Sequence, residues 1–119
     1  MVAVEAQAVT LSFLVRGEMT NPGGILHGGV MAAMIDDLIG LTVNAFAPQG
    51  FFVSINLAVD YLASARVGET VLARAHLVRQ GQRVVNAECV LTRPDGTLLA
   101  RGISNLIAAN LDAGRQRSP

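Results

Sequence analysis

The residues with chemical potential gather in one stretch, Asn21-Pro22-Gly23-Gly24-Ile25-Leu26-His27-Gly28-Gly29-Val30-Met31-Ala32-Ala33-Met34-Ile35-Asp36-Asp37. Two glycines where a helix begins let another molecule approach backbone N–H groups that have no intrahelical partner. Those donors, together with the positive end of the helix dipole, suit a developing oxyanion. Asp36 follows two turns later among Ala32, Ala33, Ile39 and Gly40. An apolar setting makes a carboxylate a stronger base or nucleophile than a hydrated one. Donor site plus carboxylate is a workable kit for acyl transfer to water. An acid on an apolar helix face also serves as an ion-pair partner or an interface contact, and this segment alone leaves both readings open. Asp36 and Asp37 point about 100° apart, so they do not share one task.

Periodicity supplies the elements that must position these groups. Residues 8–16 alternate as a strand, with Val9, Leu11, Phe13 and Val15 on one face. Residues 17–24 are rich in turn formers. From Gly28 to Ala45 the spacing is helical and apolar on nearly every side, which predicts a helix buried nearly all round; Pro48-Gln49-Gly50 stops it. Four strands follow. Residues 51–62 place Val53, Ile55, Leu57, Val59 and Tyr61 on one face and Ser54, Asn56, Ala58 and Asp60 on the other. Residues 69–79, 83–93 and 97–109 are joined by turns at Gln80-Gly81-Gln82 and Pro94-Asp95-Gly96. Ala100, Gly102 and Ser104 are small enough for the helix to approach closely. A sheet of this length around one helix leaves edges and an outer face uncovered, which predicts a partner subunit. The polar tail from Asp112 is expected to fray.

The bulk properties narrow the function classes. A chain of 119 residues fits one domain over 1–119. It is 51% hydrophobic and 15% charged. That is apolar for a small soluble domain and again favours an oligomer. Zero formal net charge and no long basic run argue against nucleic acid or an anionic membrane as partner. Residues 24–47 are apolar enough to suggest a membrane helix. Two acids near its middle would each cost about 2.5–3.5 kcal/mol on insertion scales, and the strand pattern around it favours a buried soluble helix. Cys89 is the single cysteine, and the first residues carry neither a basic region nor a long apolar run, so a reducing cytosol is the expectation. Cys89, among Val85, Ala87 and Leu91, reads as packing. His27 and His76 are the only histidines, and no metal-ligand spacing occurs.

The motif Asn21, His27-Gly28-Gly29 and Asp36 resembles the helix-opening motif of the phenylacetate-degradation (PaaI-type) branch of hotdog thioesterases, which reads roughly Asn-x5-His-Gly-Gly-x6-Asp. The resemblance continues through Val53-Ser54-Ile55-Asn56-Leu57, Tyr61-Leu62 and Ala65-Arg66-Val67-Gly68-Glu69. It extends through Gln80-Gly81-Gln82-Arg83 to Asp95-Gly96-Thr97-Leu98-Leu99-Ala100-Arg101-Gly102. It implies an α+β hotdog fold: one long central helix wrapped by a curved antiparallel sheet of five or six strands. It implies hydrolysis of an acyl-CoA thioester, either aromatic such as phenylacetyl or short to medium chain. Asp36 would be nucleophile or general base, and the Gly28 N–H would polarise the thioester carbonyl. His27 and Asn21 would organise the loop, the thioester or the attacking water, and Ser54 of a partner subunit would help hold that water against Asp36. Gly29, Arg66 and Arg83 are candidate contacts for the CoA moiety, the arginines on charge alone. No cofactor is implied beyond coenzyme A as part of the substrate. A homodimer would be the minimal unit, assembling to a homotetramer. Asp37 reads as a surface or interface ion pair, and His76 as facing solvent or an interface. Two other readings remain: a hydratase or dehydratase of acyl thioesters on the same fold, and a non-catalytic acyl-CoA-binding module.

Overall fold

The computed structural model describes residues 2–47 and 50–109. The elements run β1 (Val2–Glu5), β2 (Ala8–Leu14), a single 3-10 turn (Gly17–Met19), α1 (Gly28–Phe46), β3 (Phe51–Tyr61), β4 (Thr70–Gln80), β5 (Val84–Thr92) and β6 (Leu98–Ala109). The six strands form one sheet in the order β1-β2-β4-β5-β6-β3, with every neighbouring pair antiparallel. Helix α1 packs on strands β2 to β6. This is the expected helix wrapped by an antiparallel sheet. Pro48-Gln49, read as the helix stop, and the tail from Asp112 lie outside the described residues.

The core follows from strict alternation on β4 and β5. Val71, Ala73, Ala75 and Leu77 on β4, and Val85, Ala87, Cys89 and Leu91 on β5, are all buried. Ile35, Ile39 and Val43 of α1 are wholly buried against this face, each stabilising the fold by about 1.5–3 kcal/mol. The inward alanines bring sheet and helix close. At Gly102 on β6 the approach is closest: a Cβ there would lie 2.4 Å from Ile35 Cγ2. The β5–β6 turn closes on Gly96 at φ 93°, a conformation glycine adopts without strain; Asp95 Oδ1 accepts the Thr97 N–H at 2.9 Å.

Three expectations need correction. First, α1 is not buried all round. Gly29, Ala33, Asp37 and Leu41, four residues apart, form an exposed stripe down one side, with Ala45 continuing it. The apolar content of that stripe exceeds what one chain covers. Second, a strand precedes residue 8. β1 pairs with β2 through the two-residue turn Ala6-Gln7, and Gln7 takes φ 62°. Glutamine is uncommon there, so no turn signal marked the hairpin.

Third, β3 changes face midway. Its register against β6 shifts between Ser54 and Asn56, leaving Ile55 as an inserted residue. A bulge reverses the side-chain phase along the strand. Phe52 and Ser54 before it, and Leu57, Val59 and Tyr61 after it, therefore all turn toward α1. Val53 and Ile55 are exposed. The simple alternation had separated Ser54 from Tyr61; the bulge puts them on one side.

Candidate active site

The helix start is built by side chains that tie down the preceding loop. Asn21 Oδ1 accepts the backbone N–H groups of Gly23 at 2.9 Å and Ile25 at 3.2 Å. The Asn21 N–H donates to the Ile25 carbonyl, and the Gly24 N–H to the Asn21 carbonyl, each at 2.9 Å. Leu26 is held from the other side, its N–H on the Ala65 carbonyl at 2.7 Å. His27 then caps the helix: its backbone is extended, and Nδ1 accepts the Gly29 N–H at 2.9 Å. Of the roles expected for Asn21 and His27, organising the loop is the one these bonds express. The Gly29 amide, at a position expected to contact CoA, is spent on the cap. The Gly28 N–H donates to no described atom.

Tyr61, at the end of β3, packs against Gly28. Its hydroxyl donates to the Gly28 carbonyl at 3.0 Å, and a Cβ on Gly28 would stand 3.3 Å from the ring. A cavity of about 320 Å³ beside them is lined by Gly28, Met31, Tyr61, Leu62 and Ser64 among others. The segment 62–69 is in turn pinned by Arg93. Its Nε donates to Glu69 Oε2 at 2.9 Å and its guanidinium also meets the Ser64 carbonyl. The other Glu69 oxygen accepts the Arg66 N–H at 2.7 Å. These bonds to the backbone amide and to Arg93 hold the Glu69 carboxyl below its usual range.

The carboxylate lies farther along the helix. Asp36 Oδ1 accepts a hydrogen bond from Ser54 Oγ of the same chain at 3.3 Å. Ser54 is followed inward by Ser104, whose hydroxyl donates to the Asn56 carbonyl at 2.7 Å and lies 3.4 Å from Ser54 Oγ. The expectation that Asp36 meets Ser54 across a subunit boundary is thereby corrected, because the bulge at Ile55 swings Ser54 onto its own helix. Asp36 and Ser54 open a cavity of about 420 Å³ that continues past Gly40 to Asn44, Phe52 and Leu106. Eight residues separate Gly28 from Asp36, about 12 Å along the axis. One reacting carbonyl cannot touch both groups of the same chain.

The remaining candidates separate. Arg66 precedes β4 and pairs with Ile25 near the helix start. Arg83 lies beyond the other end of β4, its carbonyl accepting the Ala108 N–H. The full strand stands between them, about 34 Å, so one CoA cannot meet both on one chain. Asp37 is exposed and makes no ion pair with any described residue, so of its surface and interface readings the one within a single chain finds no partner. His76 lies 3.6 Å from Glu88, which with Arg101 and Asp60 forms a charged row across β4, β5, β6 and β3. Cys89 is fully buried, and desolvation pushes its thiol pKa up to about 12, in keeping with a packing role. Tyr61, Asn44 and Ser104 were missed as site residues. Only the bulge reveals Tyr61, and nothing in the local pattern marks the other two.

Known proteins resemble this chain in sequence and in fold. A sequence model of the thioesterase superfamily matches residues 23–100. Acyl-coenzyme A thioesterase 13 of Mus musculus is 27% identical over 103 residues, covering 86% of this chain and 74% of that protein. The crystal structure of zebrafish thioesterase superfamily member 2 superposes with a TM-score of 0.85 at 28% identity, covering 91% of this chain and 80% of that one. A Streptococcus mutans protein crystallised with acetyl CoA gives a TM-score of 0.85 at 22% identity, covering 92% and 87% of the two chains. At that identity the likeness is one of fold.

Proposed function

The chain belongs to the thioesterase superfamily and carries its hotdog fold and thioester-hydrolase activity, and from that premise we propose that it hydrolyses acyl-CoA with Asp36 as nucleophile or general base. The observation that carries this is the Asp36–Ser54 pair at 3.3 Å, at the mouth of a largely apolar cavity. In the water route Asp36 takes a proton from water, the resulting hydroxide attacks the thioester carbon, and CoA leaves as the thiolate. In the covalent route the Asp36 carboxylate attacks the thioester carbon, the C–S bond breaks with CoA leaving as the thiolate, and water then cleaves the resulting anhydride to free acid and Asp36. Ser54 orients the carboxylate in either route. The Gly28 N–H, at the positive end of the helix, stabilises the oxyanion. No metal or redox cofactor is required. The hydratase alternative would need His27 as a proton carrier, and its Nδ1 is already engaged by the helix cap.

The 12 Å between Gly28 and Asp36 supports a site shared by two chains. β3 is the sheet's edge strand, 11 residues long, with Phe51, Val53 and Ile55 exposed. An edge of that length and character invites pairing with a second copy. Antiparallel pairing of β3 with its copy about a two-fold axis runs the two helices in opposite directions. Gly28 of one chain then approaches Asp36 of the other, so each dimer holds two sites, and Arg66 and Arg83 from different chains fall at the same end. The homodimer is the minimal active unit, and pairing of dimers through outer faces gives the tetramer.

Free-thiol release from acetyl-, octanoyl-, phenylacetyl- and palmitoyl-CoA, with the wild type and Asp36→Asn, tests the reading. Release by the wild type and its loss in the variant are expected; equal rates would remove Asp36 from the chemistry. Single-turnover hydrolysis in heavy-oxygen water separates the routes, since label enters the Asp36 carboxylate only through the anhydride.

A further inference from the structure

Gly40 occupies the interior of a 19-residue helix, where glycine costs about 0.5–1 kcal/mol relative to alanine. Structural glycines offset such a cost through a positive φ or a close neighbour. Gly40 has neither: a Cβ built on it meets nothing within 4 Å. Gly102, by contrast, is forced by Ile35. The missing side chain at Gly40 therefore leaves space rather than admitting a neighbour of the same chain.

That space lies one turn beyond Asp36, on the same helix face. The cavity opening at Asp36 and Ser54 passes Gly40 and runs between α1 and β3. Asn44 closes its far end, accepting the Phe52 N–H at 2.7 Å and donating to the Phe52 carbonyl at 3.1 Å. From Asp36 to Asn44 is about 12 Å along the helix. The volume of about 420 Å³ lies within the range of small-molecule sites. Phe51, Phe52 and Leu41 supply apolar walls. We propose that Gly40 is the specificity-determining residue of this enzyme: its absent side chain admits an apolar acyl group of medium length, hexanoyl to decanoyl, which lies along α1 from Asp36 toward the Asn44–Phe52 clasp. This rests on the assignment of Asp36 to thioester hydrolysis.

The test is the ratio of kcat/KM for octanoyl-CoA to that for acetyl-CoA. A wild-type ratio above one is expected. Gly40→Leu fills the groove, and the ratio falls at least ~10-fold, the discrimination that methylene-sized changes in an apolar pocket produce. Gly40→Ala, which adds one methyl in open space, folds with a raised Tm and lowers the ratio by a smaller factor. A uniform change across chain lengths in Gly40→Ala, or an unchanged ratio, overturns the inference while leaving Asp36 catalysis standing. A Tm that falls in Gly40→Ala also overturns it, since Gly40 would then be admitting close contact from a second copy. Release of no thiol from any acyl-CoA by the wild type overturns the hydrolase reading and this inference together.

Discussion

Tyr61 donates its hydroxyl to the Gly28 carbonyl at 3.0 Å, joining the last residue of β3 to the first residue of α1. The bond fixes the plane of the peptide that follows Gly28, next to the unpartnered Gly28 N–H. Tyr61→Phe keeps the ring and removes the donor. A hydrogen bond of this kind contributes about 0.5–1.5 kcal/mol, so kcat/KM should fall by a factor of about 2 to 12, with KM nearly constant. A larger KM effect would mean that Tyr61 chiefly binds substrate.

Removing the Asp36 carboxylate should be far more costly. General acid–base catalysis contributes about 10²–10⁴-fold, so Asp36→Ala should lower kcat at least ~100-fold with an unaltered melting curve. Ser54→Ala, which removes one hydrogen bond to that charged carboxylate, worth about 1.5–3 kcal/mol, should cost about 10- to 100-fold. Thiol release under saturating substrate measures both.

Two-chain catalysis predicts complementation. Asp36→Asn removes the carboxylate. Gly28→Pro removes the amide donor at the first helical position, where the extended His27 backbone accepts proline and the Tyr61 ring, 3.3 Å from a Cβ there, must shift slightly. Each alone should be inactive. Refolded together, random pairing makes half the dimers mixed, each with one intact site, and about a quarter of wild-type activity should return. No recovery in mixed dimers would place both groups in one chain's site.

His27 serves the helix through its cap. His27→Ala should lower stability by about 0.5–2 kcal/mol, whereas His27→Asn, a strong capping residue, should recover most of it. Denaturant melts report the difference. Activity that tracks stability through both variants would identify the cap as the function of His27.

Acid should loosen the loop behind the helix start. The Glu69 carboxyl is held below its ordinary value of 4.5 by the Arg66 amide and by Arg93. A group with a lowered folded pKa stabilises the fold above its unfolded value, and that contribution is lost as pH falls through the folded one. Wild-type Tm should therefore drop more steeply below pH 4.5 than that of Glu69→Gln. Parallel curves would show that these bonds do not survive in solution.

Much of the architecture was legible in the residues. Alternation located β2 to β6, because half-buried strands repeat every two residues. The small residue at Gly102 announced the close approach of Ile35. The spacing of Asn21, His27, Gly28 and Asp36 delivered the resemblance to the thioesterase superfamily, and with it the activity. β1 stayed hidden because its turn uses Gln7 at a positive φ, without the usual glycine or asparagine.

What the residues could not convey depends on groups distant in sequence meeting through the sheet. Ile55 carries no mark of a bulge, yet that single insertion turns Ser54 toward Asp36 and Tyr61 toward Gly28 on the same side of β3. Arg66 and Arg83 looked equivalent until the length of β4 separated them. The motif carried the resemblance to the thioesterase superfamily, because helix-start donors and a carboxylate can be recognised from local spacing; the family match over residues 23–100 carries the chemistry. Which atoms meet was decided by tertiary structure. Strand phase and the 1.5 Å rise of a helix set distances that no local pattern encodes.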